Sequence, residues 1–594
     1  MHGDVRAARG PRRAPRRPDA GRADGGRVQA PPRPCRGRSR PAAGRHLRAA
    51  ARRVLRVSEH QGHGADVGRG RRAAPPGGGR RRARRHRVRR PRRGVPATVV
   101  RELRGQSEIG ARSDATRLRE SHEGVSPTTV ADVVVDGLHR AGTPRIFGVP
   151  GRGAQLLLVE AARRRGLSVV LAHDEAAACV MAAVTGDLVS APGAALAAPG
   201  PGVAAAATGV ARAILDRSPM ILVTDRHPEN VHGCKASLFV QAASASHWTA
   251  HAGQLAMTEP RGPVHLDVPV EVAGAPAVPL ATASRPEPLP PPDPRVLDEA
   301  GPATDAQWLR ALAEALPAPV LVTLRAKGIL PDPHPLMLGV LTAGGAEAEL
   351  LGRADLIVAL GLDAIEASPA FWMTTAPLLH LAPSPATGEW HRPVVPVVGE
   401  IALTIEELAP RLRGRARADW DVAELDRLKR ALRPLQGGAA GRPGPERVTR
   451  LAREATPAGT IAALDAGPYA AAVAASWDAV APGEFLASYG PATTGFALPA
   501  AIAAHLVHPE RRVVCFTGGE GFLAALSELP TATRLRAPIV VIALADGSFD
   551  APEVVRVGQR FDVPSAAADS EAAFAQALTK ALRTDGPALI AAWP

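Results

Sequence analysis

Two stretches about 340 residues apart hold the residues with which this chain could do chemistry. The first is Leu171-Ala172-His173-Asp174-Glu175-Ala176-Ala177-Ala178, where an apolar run gives way to a helical one. Glu175 therefore follows a buried strand and begins a helix. A carboxylate there can serve catalysis, or it can be an ordinary first-turn Glu favoured by the helix dipole. The residues alone leave both readings open. The second stretch, Val513-Val514-Cys515-Phe516-Thr517-Gly518-Gly519-Glu520-Gly521-Phe522, is a strand pattern ending in a glycine-rich turn. Such a turn before a helix can cradle phosphate through backbone N–H groups.

The elements that must position these residues repeat along the chain. Ser126 is a good N-cap and Pro127 suits a first helical position. Val130, Val133, Val134 and Leu138 then share a face, and Gly142 ends the run. A strand at 145–149 follows, then apolar runs at 168–172, 194–198 and 219–224 separated by helical stretches. This alternation implies a parallel sheet covered on both faces, closing with Gly262–Pro269. Residues 271–304 are rich in Pro and Ala and read as an extended linker. A second α/β unit has strands near 319–324, 356–360 and 377–381, and a further linker spans Arg433–Pro445. The third unit has strands near 460–465, 485–488, 513–517, 539–545 and 588–592. The fold class expected is therefore α/β, three successive parallel-sheet domains over 126–285, 286–435 and 446–594.

Composition divides the chain differently. Residues 1–125 contain 35 Arg, no Lys and 10 acidic residues, whereas the remainder holds 38 basic and 47 acidic residues. The formal charge of +16 thus resides in the first segment, and the body is mildly acidic, like an ordinary soluble enzyme. The Arg-rich segment has almost no apolar periodicity and cannot bury enough surface to offset its ordering entropy. It reads as an arm for nucleic acid or another polyanion, as a targeting peptide, or as sequence upstream of a true start near Val125. Arg without Lys favours the last reading, and transit peptides are usually richer in Ser. Cys35, Cys179, Cys234 and Cys515 have no paired or metal-like spacing and suit a reducing, cytoplasmic setting. No run of about 18 apolar residues exists, so no membrane span is expected.

Several short motifs occur in a telling order: Phe147-Gly148-Val149-Pro150-Gly151, Gly200-Pro201-Gly202, Leu215-Asp216-Arg217-Ser218-Pro219, Thr323-Leu324-Arg325-Ala326-Lys327-Gly328, Pro333-His334-Pro335-Leu336 and Gly495-Phe496-Ala497-Leu498-Pro499-Ala500-Ala501. With the two opening stretches they make residues 126–594 resemble the acetolactate synthase-like family of thiamine diphosphate (ThDP) enzymes. The resemblance implies an N-terminal domain for the aminopyrimidine, a C-terminal domain for the diphosphate, and half-sites from different subunits of a homodimer or homotetramer. Glu175 would hydrogen-bond the pyrimidine ring nitrogen and favour the imino tautomer that removes the thiazolium proton. Gly151, Gly200, Gly202, Gln241, Gly467, Thr494, Gly518, Gly519 and Gly521 would surround the cofactor. The family's metal motif is Gly-Asp-Gly followed after about two dozen residues by Asn-Asn. Here the Asp position is Gly519 and the second Asn position is Asp546, so Glu520 and Asp546 would be the oxygen ligands of Mg²⁺.

Other departures accompany this one. Thr494 stands where the family usually has a bulky apolar residue, and the stretch after Asp546 is short. No dinucleotide fingerprint is present, which argues against FAD in the middle unit. His173, His265 and His334 read as structural or surface histidines. The activity expected is action on a small, pyruvate-like 2-oxo acid, with decarboxylation and carboligation. Alternatives are decarboxylation alone, or a catalytically impaired homologue serving as a binding or regulatory subunit, which Gly519 and Thr494 favour and Glu175 opposes.

Overall fold

The sequence reads as three α/β units, and a computed structural model of the chain contains them. It describes residues 128–592 except 150, 226–230, 232, 278–302, 342–344, 364, 367–375, 386–392, 413–419, 433–442, 490–493 and 545–550. All of these lie within one compact unit, Ala97–Pro594.

The N-terminal domain opens with helix α1 (Val130–Arg140), started by Thr129 rather than by Ser126, which lies outside the described residues. Thr129 and Asp132 form a capping box: Asp132 N–H donates to Thr129 Oγ1, and Thr129 N–H donates to Asp132. Val134, Val135 and Leu138 are buried, whereas Val133 is only half-buried, so the apolar stripe sits one residue off its expected centre. Strands β1 (Arg145–Gly148), β2 (Ser168–Leu171), β3 (Gly193–Leu196), β4 (Met220–Thr224), β5 (Ser237–Phe239) and β6 (Pro263–Asp267) form one sheet in the order β2-β1-β3-β4-β6-β5. Every pairing in it is parallel. Helices α2 (Ala154–Arg164), α3 (Glu175–Val189), α4 (Pro201–Leu215) and α5 (Ala245–Met257) cross between strands.

In the central domain β7 (Val320–Val322) pairs with β8 (Met337–Val340), and β9 (Ile357–Leu360), β10 (Leu378–Ala382) and β11 (Val395–Val398) form a second parallel sheet. The C-terminal domain has strands β12 (Ile461–Leu464), β13 (Phe485–Ala487), β14 (Val513–Thr517), β15 (Ile539–Leu544), β16 (Ser565–Ala568) and β17 (Ala588–Ala592). Their order, β13-β12-β14-β15-β17-β16, repeats that of the N-terminal sheet strand for strand. The helices needed below are α6 (Ala497–Val507), α7 (Gly519–Ala525) and α8 (Leu529–Arg534), the last two joined by a 3₁₀ turn, Leu526–Glu528.

The two terminal domains share one apolar core. Ala178, Met181 and Ala182 of α3 and Val203, Ala206 and Val210 of α4 belong to the same buried cluster as Ala500, Ile502 and Ala504 of α6. Helices α3 and α6 are apolar on nearly every side, as helices buried all round must be. Small residues allow the contact: a Cβ on Gly209 would stand 2.5 Å from the Cys179 Cβ.

Charged residues tie the central domain to both neighbours. Arg217 pairs with Asp363 at 2.6 Å, Arg325 with Asp187 at 3.0 Å, and buried Lys327 with Asp332 at 2.6 Å. Asp332 also accepts the Ala479 N–H at 2.7 Å. Gly328 sits at φ +91° against the Ala481 carbonyl, leaving no room for a side chain.

Burial pushes the Glu366 carboxyl up to about 7 against the pull of Arg325, with Asp363 and Asp216 adding to the rise. A carboxyl whose folded-state value is raised binds its proton more tightly in the folded chain. It therefore costs stability as the pH climbs from the ordinary 4.5 towards about 7. Glu366→Gln should raise the melting temperature relative to wild type more at pH 8 than at pH 5. Equal differences at the two pH values, by scanning calorimetry, would contradict this.

Candidate functional site

Glu175 is the first residue of α3 and is half-buried. Asp174 caps the helix, its Oδ1 accepting the Ala176 N–H at 3.1 Å. The Glu175 carboxylate lies over the first turn of α4, where a Cβ on Gly202 would stand 2.6 Å from Oε1. That turn follows Gly200, at φ +73°, and buried Gly202 has Ala198 as its other neighbour. Ala198 also crowds Gly151, whose N–H donates to Gln155 Oε1 at 2.6 Å. Glu175, Gly202 and Gly151 thus converge at the C-terminal ends of β1, β2 and β3. Buried Gln155, whose Nε2 has no partner, joins them. Gln241 does not: it is exposed beyond edge strand β5, five strand spacings from β2, or about 24 Å.

A second cluster forms in the C-terminal domain around Asp465, a residue that the motif reading missed. It is fully buried at the end of β12. Its Oδ1 accepts the N–H groups of Phe496 (2.6 Å) and Ala497 (3.0 Å), and its Oδ2 accepts the Thr517 hydroxyl at 2.7 Å. Burial pushes this carboxyl up, while those three donors pull it down. The carboxylate pins β12, β14 and the start of α6 to one another. Gly521 packs its α-carbon directly against Asp465 Oδ2, so no side chain fits there. Gly495, at φ +84°, presses on Ala524, which brings the Thr494 loop onto α7. Gly467, two residues beyond Asp465, is exposed and folds over the Tyr469 ring. The signal for Asp465 was present as an acidic residue closing a four-residue buried strand.

Gly518 is extended and Gly519 begins α7, so the turn expected to cradle phosphate offers backbone on three of its four positions. Glu520 points outward and is exposed, and Asp546 lies outside the described residues. The described residues contain no group of three or more His, Cys, Asp or Glu side chains arranged for a metal. Asp465 is committed to its three donors. Among the described residues, backbone N–H groups can meet a diphosphate, and Glu520 is the one described member of the expected metal pair.

The described residues do not suit FAD. The central domain borders a cleft of about 1490 Å³ whose described lining carries seven carboxylates and four arginines. Each arginine already faces an acid: Arg217 faces Asp363, Arg325 faces Asp187, Arg353 faces Glu424 and Arg261 faces Glu259. No guanidinium in that lining is left for a dinucleotide's diphosphate.

Polar contacts join the clusters across domains within one chain. Arg212 of α4 donates to the Thr494 carbonyl at 2.6 Å. Glu528 accepts the N–H groups of His173 (2.8 Å) and Asp174 (3.1 Å), beside Glu175. His173 is accordingly structural, its Nδ1 2.9 Å from Thr531 Oγ1. Buried His265 is structural too, bonded to Thr224 and Ser237.

Three family models match in the order of the three domains. Residues 128–248 match the thiamine pyrophosphate enzyme N-terminal TPP binding domain, 300–408 the central domain and 465–551 the C-terminal TPP binding domain. The chain belongs to the thiamine pyrophosphate enzyme family. Among curated relatives, the catabolic acetolactate synthase of Raoultella terrigena is 31% identical over 41% of this chain and 48% of its own length. Acetolactate synthase isozyme 1 large subunit of Escherichia coli (strain K12) is 25% identical over 70% of this chain and 81% of its own. A probable 2-ketoarginine decarboxylase, AruI, of Pseudomonas aeruginosa is 27% identical with the same coverage. The solved thiamine diphosphate-dependent 4-hydroxybenzoylformate decarboxylase of Rhodococcus jostii RHA1 has a TM-score of 0.63 at 21% identity, covering 78% of this chain and 99% of its own. That likeness is one of fold. Among the described residues no helix is long and apolar enough to cross a membrane.

In this thiamine pyrophosphate enzyme the two glycine contacts are separable by substitution. Gly202→Ala should push the Glu175 carboxylate aside and lower turnover about 10²-fold, and because the new methyl also meets the Ala198 Cβ it should cost about 1–3 kcal/mol of stability. Asp465→Ala should instead cost about 3 kcal/mol or more in denaturant unfolding, because it strands buried donors.

Proposed function

We propose that this chain is a ThDP-dependent enzyme acting on a small, pyruvate-like 2-oxo acid, with decarboxylation followed by carboligation as in acetolactate synthase. The observation that carries this reading is Glu175, held at the start of α3 with its carboxylate against Gly202, inside the domain that matches the N-terminal TPP-binding model. When bound, the cofactor supplies an electron sink for loss of CO₂ from a 2-oxo acid.

The chain's own residues do the rest. Glu175 holds a proton at the pyrimidine ring nitrogen. Gly202 keeps the space beside that carboxylate clear. The Gly518–Gly521 turn receives the diphosphate on backbone N–H groups, and Gly521 and Asp465 fix the turn's position. Gly495 sets the loop bearing Thr494, where a small side chain leaves more room beside the cofactor than a bulky apolar one would. Gly151, Gly200 and Gly467 are cofactor-facing positions in this reading; Gln241, at the far edge of the sheet from Glu175, is not among them. A homodimer or homotetramer that completes each site from two chains belongs to the same reading, as does a cytoplasmic location. Glu520 and Asp546 are the pair through which a metal would be recruited.

A second reading, decarboxylation without carboligation, is favoured by the decarboxylases among the relatives and structural neighbours. The product made from pyruvate separates the two: acetolactate for the first, acetaldehyde for the second.

Glu175→Gln should lower turnover by about 10²–10⁴-fold while cofactor still binds. Calorimetric titration of ThDP with Mg²⁺, and again with EDTA, checks the metal. Binding lost in EDTA and in Glu520→Ala supports the Glu520–Asp546 pair; equal binding in both conditions sets it aside. No binding in either condition overturns the enzyme reading in favour of a homologue that serves as a binding or regulatory subunit.

A further inference from the structure

We propose that Glu528 is the positioning residue for Glu175, holding the β2–α3 loop from the C-terminal domain and linking the diphosphate turn mechanically to the acting carboxylate. This rests on the role given to Glu175 above.

Glu528 ends the 3₁₀ turn between α7 and α8. It therefore lies on one helical path that begins at the Gly518–Gly521 turn, roughly 15 Å away. Its side chain is completely buried. Oε1 accepts two successive backbone N–H groups, those of His173 and Asp174, and buried Oε2 has no partner. A buried carboxylate costs several kcal/mol unless compensated. Compensation here is the N-terminal end of α3, whose orphan N–H groups and dipole favour an anion.

A side chain selected only to fill space at this point would be apolar. Glu528 instead fixes the Asp174 peptide plane on one side, and the Asp174 side chain fixes the next turn by accepting the Ala176 N–H. Glu175 leaves the backbone between those two anchors. Two further contacts from the same segment hold the loop: Thr531 Oγ1 meets the His173 ring, and Arg534 donates to the Leu171 carbonyl. Where each site is completed from two chains, a shift of α7 on engaging a diphosphate would thus be passed through Glu528 to the Glu175 of the neighbouring site.

The test uses full-length protein with Glu528→Gln, which keeps an acceptor oxygen, and Glu528→Leu, which does not. Phe574→Leu, a fully buried site in the opposite core cluster, serves as a stability-matched control. Hydrogen–deuterium exchange without cofactor reads the loop itself. Protection of the His173 and Asp174 amides should persist in the Gln variant and the control, and fall at least tenfold in the Leu variant. With saturating ThDP, proton exchange at the thiazolium C2, followed by NMR, should slow at least tenfold in the Leu variant and recover largely in the Gln variant. Phe574→Leu should leave it unchanged.

Unaltered amide protection in Glu528→Leu overturns the proposal whether or not ThDP binds. So does wild-type C2 exchange in that variant, or an equal slowing in the control, which would mark a general loss of stability. Failure of the wild type to bind ThDP falls on the enzyme reading, and the amide measurement still decides whether Glu528 holds the loop.

Discussion

Close packing of α3 and α4 against α6 is the constraint on which the rest of this molecule depends. These helices come from domains that begin more than 300 residues apart, yet they share one apolar core. Glycines let the N-terminal side of this core close up: Gly186 and Gly193 lie directly against the Pro219 and Ala182 carbonyls, where no side chain fits, and Gly209 takes the Cys179 Cβ. Interiors packed this tightly transmit displacement rather than absorb it. The loop that starts α3 and the loop that starts α6 are therefore held in fixed relation, and these are the loops that carry Glu175 and Thr494.

Buried polar groups lock that relation at three points. Asp465 collects the beginning of α6 and the end of β14 on one carboxylate. Arg212 crosses from α4 to the Thr494 carbonyl. Glu528 crosses in the other direction to the N-terminus of α3. Each would be costly if unpaired, and each is paired with backbone groups that have few alternatives. Backbone partners make these contacts specific to one arrangement of the chain. The same strand order in the N-terminal and C-terminal sheets places the two clusters at equivalent ends of their sheets, beyond the carboxyl ends of the strands. Open parallel sheets offer their binding clefts there.

The C-terminal cluster departs from a metal-centred design. Gly519 removes a carboxylate from the turn, and Asp465, the buried acid nearby, is saturated by its own donors. Backbone N–H groups and helix orientation are then the main means of receiving a diphosphate that the described residues offer. The cleft beside the central domain departs in a parallel way: it is spacious, but the arginines of its described lining are paired with carboxylates, two of them across the boundary with the N-terminal domain.

By itself the sequence determined the three-domain α/β architecture, because short apolar runs alternating with helical stretches bury both faces as parallel sheets. It determined the pieces of the site as well: Glu175 after β2, the glycines at 202 and 518–521, and the gap left at Gly519. Edge strands β2, β9 and β13 were legible in it, whereas β8 and three other edge strands escaped it. β5 is three residues long, β11 contains Pro396, and β16 reads Ser565-Ala566-Ala567-Ala568, so none carries the apolar density of a central strand. Only the tertiary structure decided the rest. It made Asp465 and Glu528 central, since a buried carboxylate reveals its role through donors distant in the chain. It also set Gln241 at the far edge of the sheet from Glu175, because strand order, unlike strand existence, is fixed by crossovers that no local pattern records.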